Sequence, residues 1–191
     1  MAYSDTEVEL KLRVGRRAFS AAEKTLNASG KFLSESRQID TYYNHPKRDF
    51  LSPSHPFEWL SIRRRGAHTI LNYKHFYPEN ARKTTHCTEL ETGVSDPGKA
   101  ARILGALGFQ KLVVVDKKRR NYSFRDFTVS LDRVAGLGLF AEIESERSFG
   151  SIKRTLAEIW RAAKALGLNK FKEDFRGYPY LLLEKAGLMR K

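Results

Sequence analysis

The chain has 191 residues, a length that favours one domain with a substantial hydrophobic core. Hydrophobic residues make up 41% of the chain and charged residues 30%, a composition that excludes disordered and fibrous proteins. Lys and Arg number 35 against 22 Asp and Glu, and the formal net charge of +13 favours polyanionic partners: nucleic acid, nucleotides, polyphosphate or an anionic membrane surface.

Two further features restrict the class of protein. Cys87 is the only cysteine, so the chain has no intrachain disulfide and no zinc site built from several thiolates. No run approaches the roughly 18 apolar residues of a membrane span, and the N-terminus lacks the apolar core of a signal peptide. We therefore predict one domain over residues 1–191, located in the cytoplasm and without a membrane partner.

Strands outnumber helices in the pattern of apolar and polar residues. Period-two patterning predicts eight strands, over residues 5–14, 37–44, 57–65, 69–76, 85–93, 111–122, 126–133 and 138–146. Helical periodicity with capping residues predicts three helices, over 17–29, 97–107 and 151–166. Turn residues predict loops over 44–56 and 77–85. Together these elements indicate an α+β fold, an antiparallel and closed or nearly closed eight-stranded β-barrel with helices packed outside.

Charged residues at a spacing of two mark the first strand. Glu7, Glu9 and Lys11 alternate with Val8 and Leu10. Because successive side chains of a strand point to opposite faces, the three charged residues share one face and the two apolar residues share the other. Two acids beside one base form a plausible site for a divalent metal and a phosphate.

The same spacing recurs in four later strands, and two more strands carry one such charge each. The residues are Arg63 and Arg65, Lys74, Glu89 and Glu91, Lys117 and Arg119, Asp132, and Glu142 and Glu144. A solvated outer face of an antiparallel strand gives the same alternation, and that alternative stays open for each strand. If these faces instead turn inward, the charges are tolerated only when they are paired, hydrated or ligating.

An inward charged face selects a particular ligand. Mg²⁺ and Mn²⁺ prefer carboxylate oxygens, and Mg²⁺ usually bridges carboxylates to substrate phosphates. Arginine binds phosphate through its planar fork and lysine as a point charge. A lumen that holds both kinds of residue would bind a polyphosphate along its axis and metals at its acidic rim. This is the chemistry of phosphoryl or nucleotidyl transfer.

Four sequence blocks resemble those of a known family. The E-x-E-x-K signature is matched by residues 7–11, the D-T-Y-Y segment by residues 40–43, and the V-x-K-x-R-x-x-Y strand by residues 115–122. Residues 131–144, LDRVAGLGLFAEIE, resemble the most specific block of the family. On these motifs the chain resembles the CYTH superfamily, the class IV adenylyl cyclases and thiamine triphosphatases that are also called triphosphate tunnel metalloenzymes.

The resemblance implies a fold and a role for each charged residue. It implies an eight-stranded antiparallel tunnel, open at both ends, that binds a triphosphate with two Mg²⁺ or Mn²⁺ ions. The implied metal ligands are Glu7, Glu9, Glu142 and Glu144, with Asp132, Glu89 and Glu91 supporting them. The implied phosphate-binding residues are Lys11, Arg63, Lys74, Lys117 and Arg119. The implied catalytic residues are Lys11, Glu9 and Glu142, with Lys11 tuning the nucleophile or its water.

One departure from the family pattern affects the phosphate site. The family often has L-R-I-R where this chain has Leu60-Ser61-Ile62-Arg63, so one arginine is missing. Arg65 is the candidate replacement, because it shares the face of Arg63.

The resemblance leaves two reactions open, and the net charge leaves a third, non-catalytic function open. A class IV adenylyl cyclase converts ATP to cyclic AMP and pyrophosphate, and the chain is closest to that branch. A hydrolase would act on tripolyphosphate, thiamine triphosphate or a nucleoside triphosphate with the same charges. A non-catalytic protein would bind polyphosphate or RNA 5′-ends through its net charge. We expect ATP or another triphosphate as the partner rather than nucleic acid at large, and a homodimer stays open.

Overall fold

The computed structural model of the chain describes residues 6–189, and its elements confirm the α+β class. Its four helices are α1 (Arg16–Ser29), α2 (Pro97–Ala106), α3 (Ile152–Ala165) and α4 (Tyr178–Lys185). Its strands are β1 (Thr6–Glu7), β2 (Glu9–Val14), β3 (Lys31–Asn44), β4 (Glu58–Arg65), β5 (His68–Tyr77), β6 (His86–Gly93), β7 (Gln110–Phe124), β8 (Phe127–Val134) and β9 (Gly138–Ser145).

The chain divides into two compact units. The first unit contains residues 37–116 and 176–189 together with Thr6, and the second unit contains residues 7–36 and 117–175. Strands β3 and β7 therefore contribute residues to both units.

The sheet of the first unit has the strand order β6-β5-β4-β3-β7. The pairs β3–β4, β4–β5 and β5–β6 are antiparallel. Helix α2 begins where the sequence predicts, because the side chain of Asp96 caps it by accepting a hydrogen bond from the backbone N–H of Lys99, with Pro97 in the first turn. Helix α4 carries four buried residues, Tyr178, Pro179, Leu181 and Leu183.

The sheet of the second unit has the strand order β3-β7-β8-β9-β2, and the pairs β7–β8, β8–β9 and β2–β9 are antiparallel. One face of this sheet forms the hydrophobic core with α1 and α3. The core includes Leu10, Leu12, Leu131 and Ile143 from the strands, and Phe19, Leu26, Ile159 and Ala162 from the helices. Because side chains alternate along a strand, the residues between these apolar positions lie on the other face of the sheet.

The structure corrects three details of the predicted elements. The predicted strand 5–14 is interrupted at Val8, and its first residue, Asp5, lies outside the described residues. The third strand begins at Lys31 rather than at residue 37. Helix α4 was not predicted, because its eight residues are too few to show a helical stripe and its apolar side chains point to several sides.

Over residues 6–189 the structure does not show the predicted closed barrel. The strand order of the first unit does not return to its starting strand, and neither does that of the second unit. What the structure shows is a set of antiparallel strands with four helices. Within residues 6–189 we find no helix with both the length and the apolar character that crossing a membrane requires.

Candidate active site

The predicted charged residues of the second unit share one face of its sheet. In the β2–β9 register, Lys11 lies opposite Glu142 and Glu9 lies opposite Glu144. In the β7–β8 register, Arg119 lies opposite Asp132. Directly opposite residues of an antiparallel pair have Cβ atoms about 4.5–5.5 Å apart, so these side chains are neighbours. We call Lys11, Lys117, Arg119, Asp132 and Glu142 the second-unit cluster.

This charged face is not a solvated one. Asp132 is 0% exposed and Lys11 and Lys117 are each 7% exposed, whereas Glu144, farther along β9, is exposed. The face lies opposite the core that α1 and α3 cover, since Leu10 and Leu12 flank Lys11 and belong to that core. Buried charges are stable only when they are paired or hydrogen-bonded. The alternative of an ordinary solvated strand face is therefore wrong for these three residues.

Arg119 joins the two carboxylates of the second-unit cluster. Its Nε donates to Oδ1 of Asp132 at 2.7 Å and its terminal nitrogen donates to Oδ2 of the same residue at 2.5 Å. The same terminal nitrogen also donates to Oε2 of Glu142. A two-pronged arginine–carboxylate contact fixes the guanidinium in place as well as neutralising it. Arg119 is therefore held in one orientation by two carboxylates.

A second set of paired charges lies within the first unit. The guanidinium of Arg63 is buried, and its terminal nitrogen donates to Oε1 of Glu89 at 3.1 Å and to Oε1 of Glu91 at 3.3 Å. The ammonium of Lys74 lies 3.4 Å from Oε2 of Glu89, and the guanidinium of Arg65 lies 3.9 Å from Oε1 of Glu91. With Asn72, whose amide donates to both glutamates, these five residues form the first-unit cluster.

Arg63 has further neighbours on the same face of β3 and β4. Its Nε donates to Oγ of Ser61 at 3.2 Å, and the buried Asp40 lies opposite it in the β3–β4 register. Burial by itself would lower the pKa of Arg63, but its coupling to Tyr42, Asp40, Glu89 and Glu91 outweighs burial, so the net shift is upward. Arg63 is therefore a permanent cation at the centre of the first-unit cluster.

Tyr42 is also part of this environment. Burial raises the pKa of its hydroxyl to about 12, against the opposing effect of the Arg63 charge. Its ring meets the ring of Trp59 edge-on, with the centroids 5.8 Å apart. Tyr42 is therefore a neutral phenol at physiological pH, beside the guanidinium of Arg63.

The donor chemistry of the second unit fits a divalent cation. Glu9, Glu142 and Glu144 offer carboxylate oxygens from two neighbouring strands, and Glu7 lies half-buried in β1. Across residues 6–189, no three His, Cys, Asp or Glu side chains are gathered closely enough to hold a metal ion. Because Glu142 accepts a hydrogen bond from Arg119, a bound cation would have to draw this carboxylate away from the guanidinium.

The structure thus brings most of the predicted residues together in two groups. Arg63, Arg65, Lys74, Glu89 and Glu91 form contacts within the first unit. Sequence reasoning did not identify Asn72 as a site residue, although its spacing of two from Lys74 is the signal that marks the other site residues. It also gave no role to Ser61 and Asp40, which flank Arg63.

Comparison with known proteins identifies the family. The CYTH domain model matches residues 5–178. The chain belongs to the CYTH family. This confirms the resemblance seen in the sequence motifs. CYTH proteins act on triphosphate substrates, and membership implies dependence on a divalent metal.

Individual relatives support this assignment. A protein of Methanocaldococcus jannaschii, provisionally named an adenylate cyclase, is 32% identical over 165 residues, which are 86% of this chain and 91% of that protein. A Pyrococcus horikoshii protein of known structure is 30% identical, has a TM-score of 0.75, and matches over 94% of this chain and 99% of that one. A Hippeastrum protein described as having dominant triphosphatase activity shares the fold, with a TM-score of 0.64, 18% identity and 97% of each chain covered.

Proposed function

We propose that this chain is a divalent-metal-dependent enzyme that converts ATP to cyclic AMP and pyrophosphate, in the manner of a class IV adenylyl cyclase. The observation that carries the proposal is the row of buried, paired charges on the sheet face opposite the hydrophobic core of the second unit. A buried face of this kind fits a highly charged ligand, because apolar side chains in place of paired buried charges would often stabilise the fold equally or better, which favours a role in binding. Family membership and the provisional name of the Methanocaldococcus relative favour ATP chemistry.

The proposal assigns the charged residues to two tasks. The residues that would hold two Mg²⁺ or Mn²⁺ ions are Glu7, Glu9, Glu142 and Glu144, supported by Asp132, Glu89 and Glu91. The residues that would bind phosphate oxygens are Lys11, Arg63, Arg65, Lys74, Lys117 and Arg119. When bound, the ions supply charge neutralisation to the triphosphate. Lys11, Glu9 and Glu142 would form the catalytic group, with Lys11 favouring the ionised form of the ribose 3′-hydroxyl that attacks the α-phosphorus.

Three further elements of the proposal are carried over from the sequence analysis. They are the closure of the strands into an eight-stranded tunnel with the helices outside, a cytoplasmic location, and a single functional domain over residues 1–191. The proposal takes ATP as the partner and needs neither a membrane nor a nucleic acid strand. It holds equally for a monomer and for a homodimer.

Hydrolysis of a triphosphate is the second candidate function. The Hippeastrum protein, which has this fold, is described as having dominant triphosphatase activity, so the fold by itself does not select cyclisation. In a hydrolase the same cations would hold the phosphates while water attacks the γ-phosphorus of tripolyphosphate, thiamine triphosphate or a nucleoside triphosphate.

The proposal is tested by turnover of ATP with Mg²⁺ or Mn²⁺ in the wild-type protein and in two variants. Glu9→Gln removes the charge of a proposed metal ligand, and we expect it to abolish turnover while the fold stays intact. Glu35→Gln is the matched control, because Glu35 lies on a strand of the same unit but pairs with Arg120 outside the cluster. Full activity of Glu9→Gln would refute the metal assignment. Salt-sensitive ATP binding without turnover in the wild type would instead indicate a non-catalytic protein.

A further inference from the structure

Asn72 is the neutral member of the first-unit cluster. It lies opposite Ser61 in the β4–β5 register and opposite Glu91 in the β5–β6 register, so it shares the face of Arg63 and Lys74. Its side chain is buried, with 1% of the residue exposed. A neutral amide is thus enclosed among charged side chains.

The amide of Asn72 binds both carboxylates of the cluster at once. Its Nδ2 donates to Oε1 of Glu89 at 2.6 Å and to Oε1 of Glu91 at 2.9 Å. The same two oxygens accept hydrogen bonds from the terminal nitrogen of Arg63. Two carboxylates that repel each other are therefore held side by side by two donors, one neutral and one cationic.

The position of Arg63 depends on this arrangement. Without the amide, Glu89 and Glu91 would each lose a donor, and their mutual repulsion would separate the oxygens that hold the guanidinium. Within the described part of the chain, Oδ1 of Asn72 is buried and has no hydrogen-bond partner. A buried acceptor of this kind destabilises the fold, so an apolar side chain of the same size would suit packing better. The donor half of the amide is what distinguishes Asn72 from such a side chain.

We propose that Asn72 is a positioning residue, which orients Arg63 for phosphate binding by fixing Glu89 and Glu91. This inference rests on the proposed function, since it takes Arg63 to be a phosphate ligand. It gives Glu89 and Glu91 the task of holding the guanidinium of Arg63, in addition to their proposed support of the metal ions.

The first test measures tripolyphosphate binding by calorimetry with saturating Mg²⁺. Asn72→Leu conserves the volume and removes the donors, and Asn72→Asp conserves the shape and adds a third carboxylate. We expect each variant to bind tripolyphosphate about tenfold more weakly, because the loss of one buried hydrogen bond has an effect of this size. Thr88→Val is the matched control, because Thr88 lies on β6 opposite His75, on the other face, and we expect unchanged binding.

A double-mutant cycle separates positioning from general damage to the fold. In an Arg63→Gln background Asn72→Leu should change the affinity by less than about twofold, because the group that Asn72 positions is already gone. The same loss in both backgrounds would overturn the proposal. Unchanged affinity of Asn72→Leu in the otherwise wild-type protein would also overturn it.

A measurement without substrate distinguishes failure of this inference from failure of the proposed function. The Nε–H of Arg63 donates to Oγ of Ser61. The exchange of this hydrogen with solvent is followed in the ¹H–¹⁵N spectrum of the metal-free protein, and we expect Asn72→Leu to accelerate it. If exchange is faster in Asn72→Leu but the wild-type protein binds no triphosphate, the proposed function is refuted and the positioning of Arg63 is retained. Unchanged exchange would overturn the positioning whatever the protein binds.

Discussion

Replacing Asp132 by asparagine removes the charge that holds Arg119 while preserving the shape of the side chain. Asp132 is fully buried and accepts two hydrogen bonds from Arg119, at 2.7 and 2.5 Å. An asparagine keeps one acceptor oxygen, but it places an NH₂ group against the second N–H donor of the guanidinium. We therefore expect Asp132→Asn to destabilise the second unit.

The size of the effect follows from the contacts. A hydrogen bond to a charged group contributes about 1.5–3 kcal/mol to the free energy of unfolding, and at least one is lost. Leaving a buried ion unpaired lowers the free energy of unfolding by about 3–5 kcal/mol. Arg119 keeps Glu142 as a counter-charge, so we expect a smaller loss here. We expect a loss of about 2–3 kcal/mol, which for a chain of this length lowers the Tm by about 4–12 °C.

The chain provides a matched control for this substitution. Arg37 contacts Asp116 with the same two-pronged geometry, at 3.0 and 2.6 Å, but this pair is exposed on the first unit. Exposed ion pairs are screened by water and contribute little, so Asp116→Asn should leave the urea unfolding midpoint unchanged. Both variants are compared with the wild type by urea unfolding followed by circular dichroism. Equal effects of the two substitutions would refute the reasoning that burial makes the Arg119–Asp132 contact important.

Three further outcomes are expected. Leu26→Ala, at a fully buried position of α1, should lower the free energy of unfolding by about 2–5 kcal/mol, whereas Ile103→Ala, at a 59% exposed position of α2, should change it little in urea unfolding. Because burial raises the pKa of Tyr42 to about 12, the folded chain keeps a proton that the unfolded chain loses near pH 10. The free energy of unfolding should therefore fall by about 1.4 kcal/mol per pH unit between pH 10 and 12. Tyr42→Phe should not show this contribution. Parallel pH profiles of the wild type and the variant would contradict the assignment to Tyr42. Arg63→Lys should raise the KM for ATP, since a lysine cannot reproduce the contacts of the guanidinium with Glu89 and Glu91; an unchanged KM would refute its role in binding phosphate.

The sequence predicted the elements whose boundaries have a local cause. Helix α2 begins at an Asp-Pro pair and α3 begins after Ser151, whose side chain accepts a hydrogen bond from the backbone N–H of Arg154. The first six residues of β3 were not predicted as a strand because apolar and polar residues do not alternate there: Phe32 and Leu33 are adjacent and both largely exposed. Their strand conformation comes from pairing with a distant part of the chain, which local patterning does not report.

The candidate site likewise combines features that the local sequence predicts with features that depend on distant parts of the chain. Spacing of two placed Arg63 on a shared face with Arg65, and Lys11 on a shared face with Glu9, because the alternation of a strand is a local property. The partners across strands were not predictable, since they depend on register, and a shift by one residue reverses every face. The register places Asn72 opposite Glu91 and Arg119 opposite Asp132. The role of Asn72 therefore emerged only from the paired strands.

The most direct test of the proposed function is product analysis of the purified protein with ATP and with tripolyphosphate, each with Mg²⁺ and with Mn²⁺. Cyclic AMP, pyrophosphate and orthophosphate are resolved by ion-exchange chromatography. The proposal predicts cyclic AMP and pyrophosphate in equal amounts from ATP, dependent on the metal and lost in Glu9→Gln. Orthophosphate from tripolyphosphate without cyclic AMP from ATP would contradict the cyclase and establish the hydrolase. No product from either substrate would contradict the enzyme altogether.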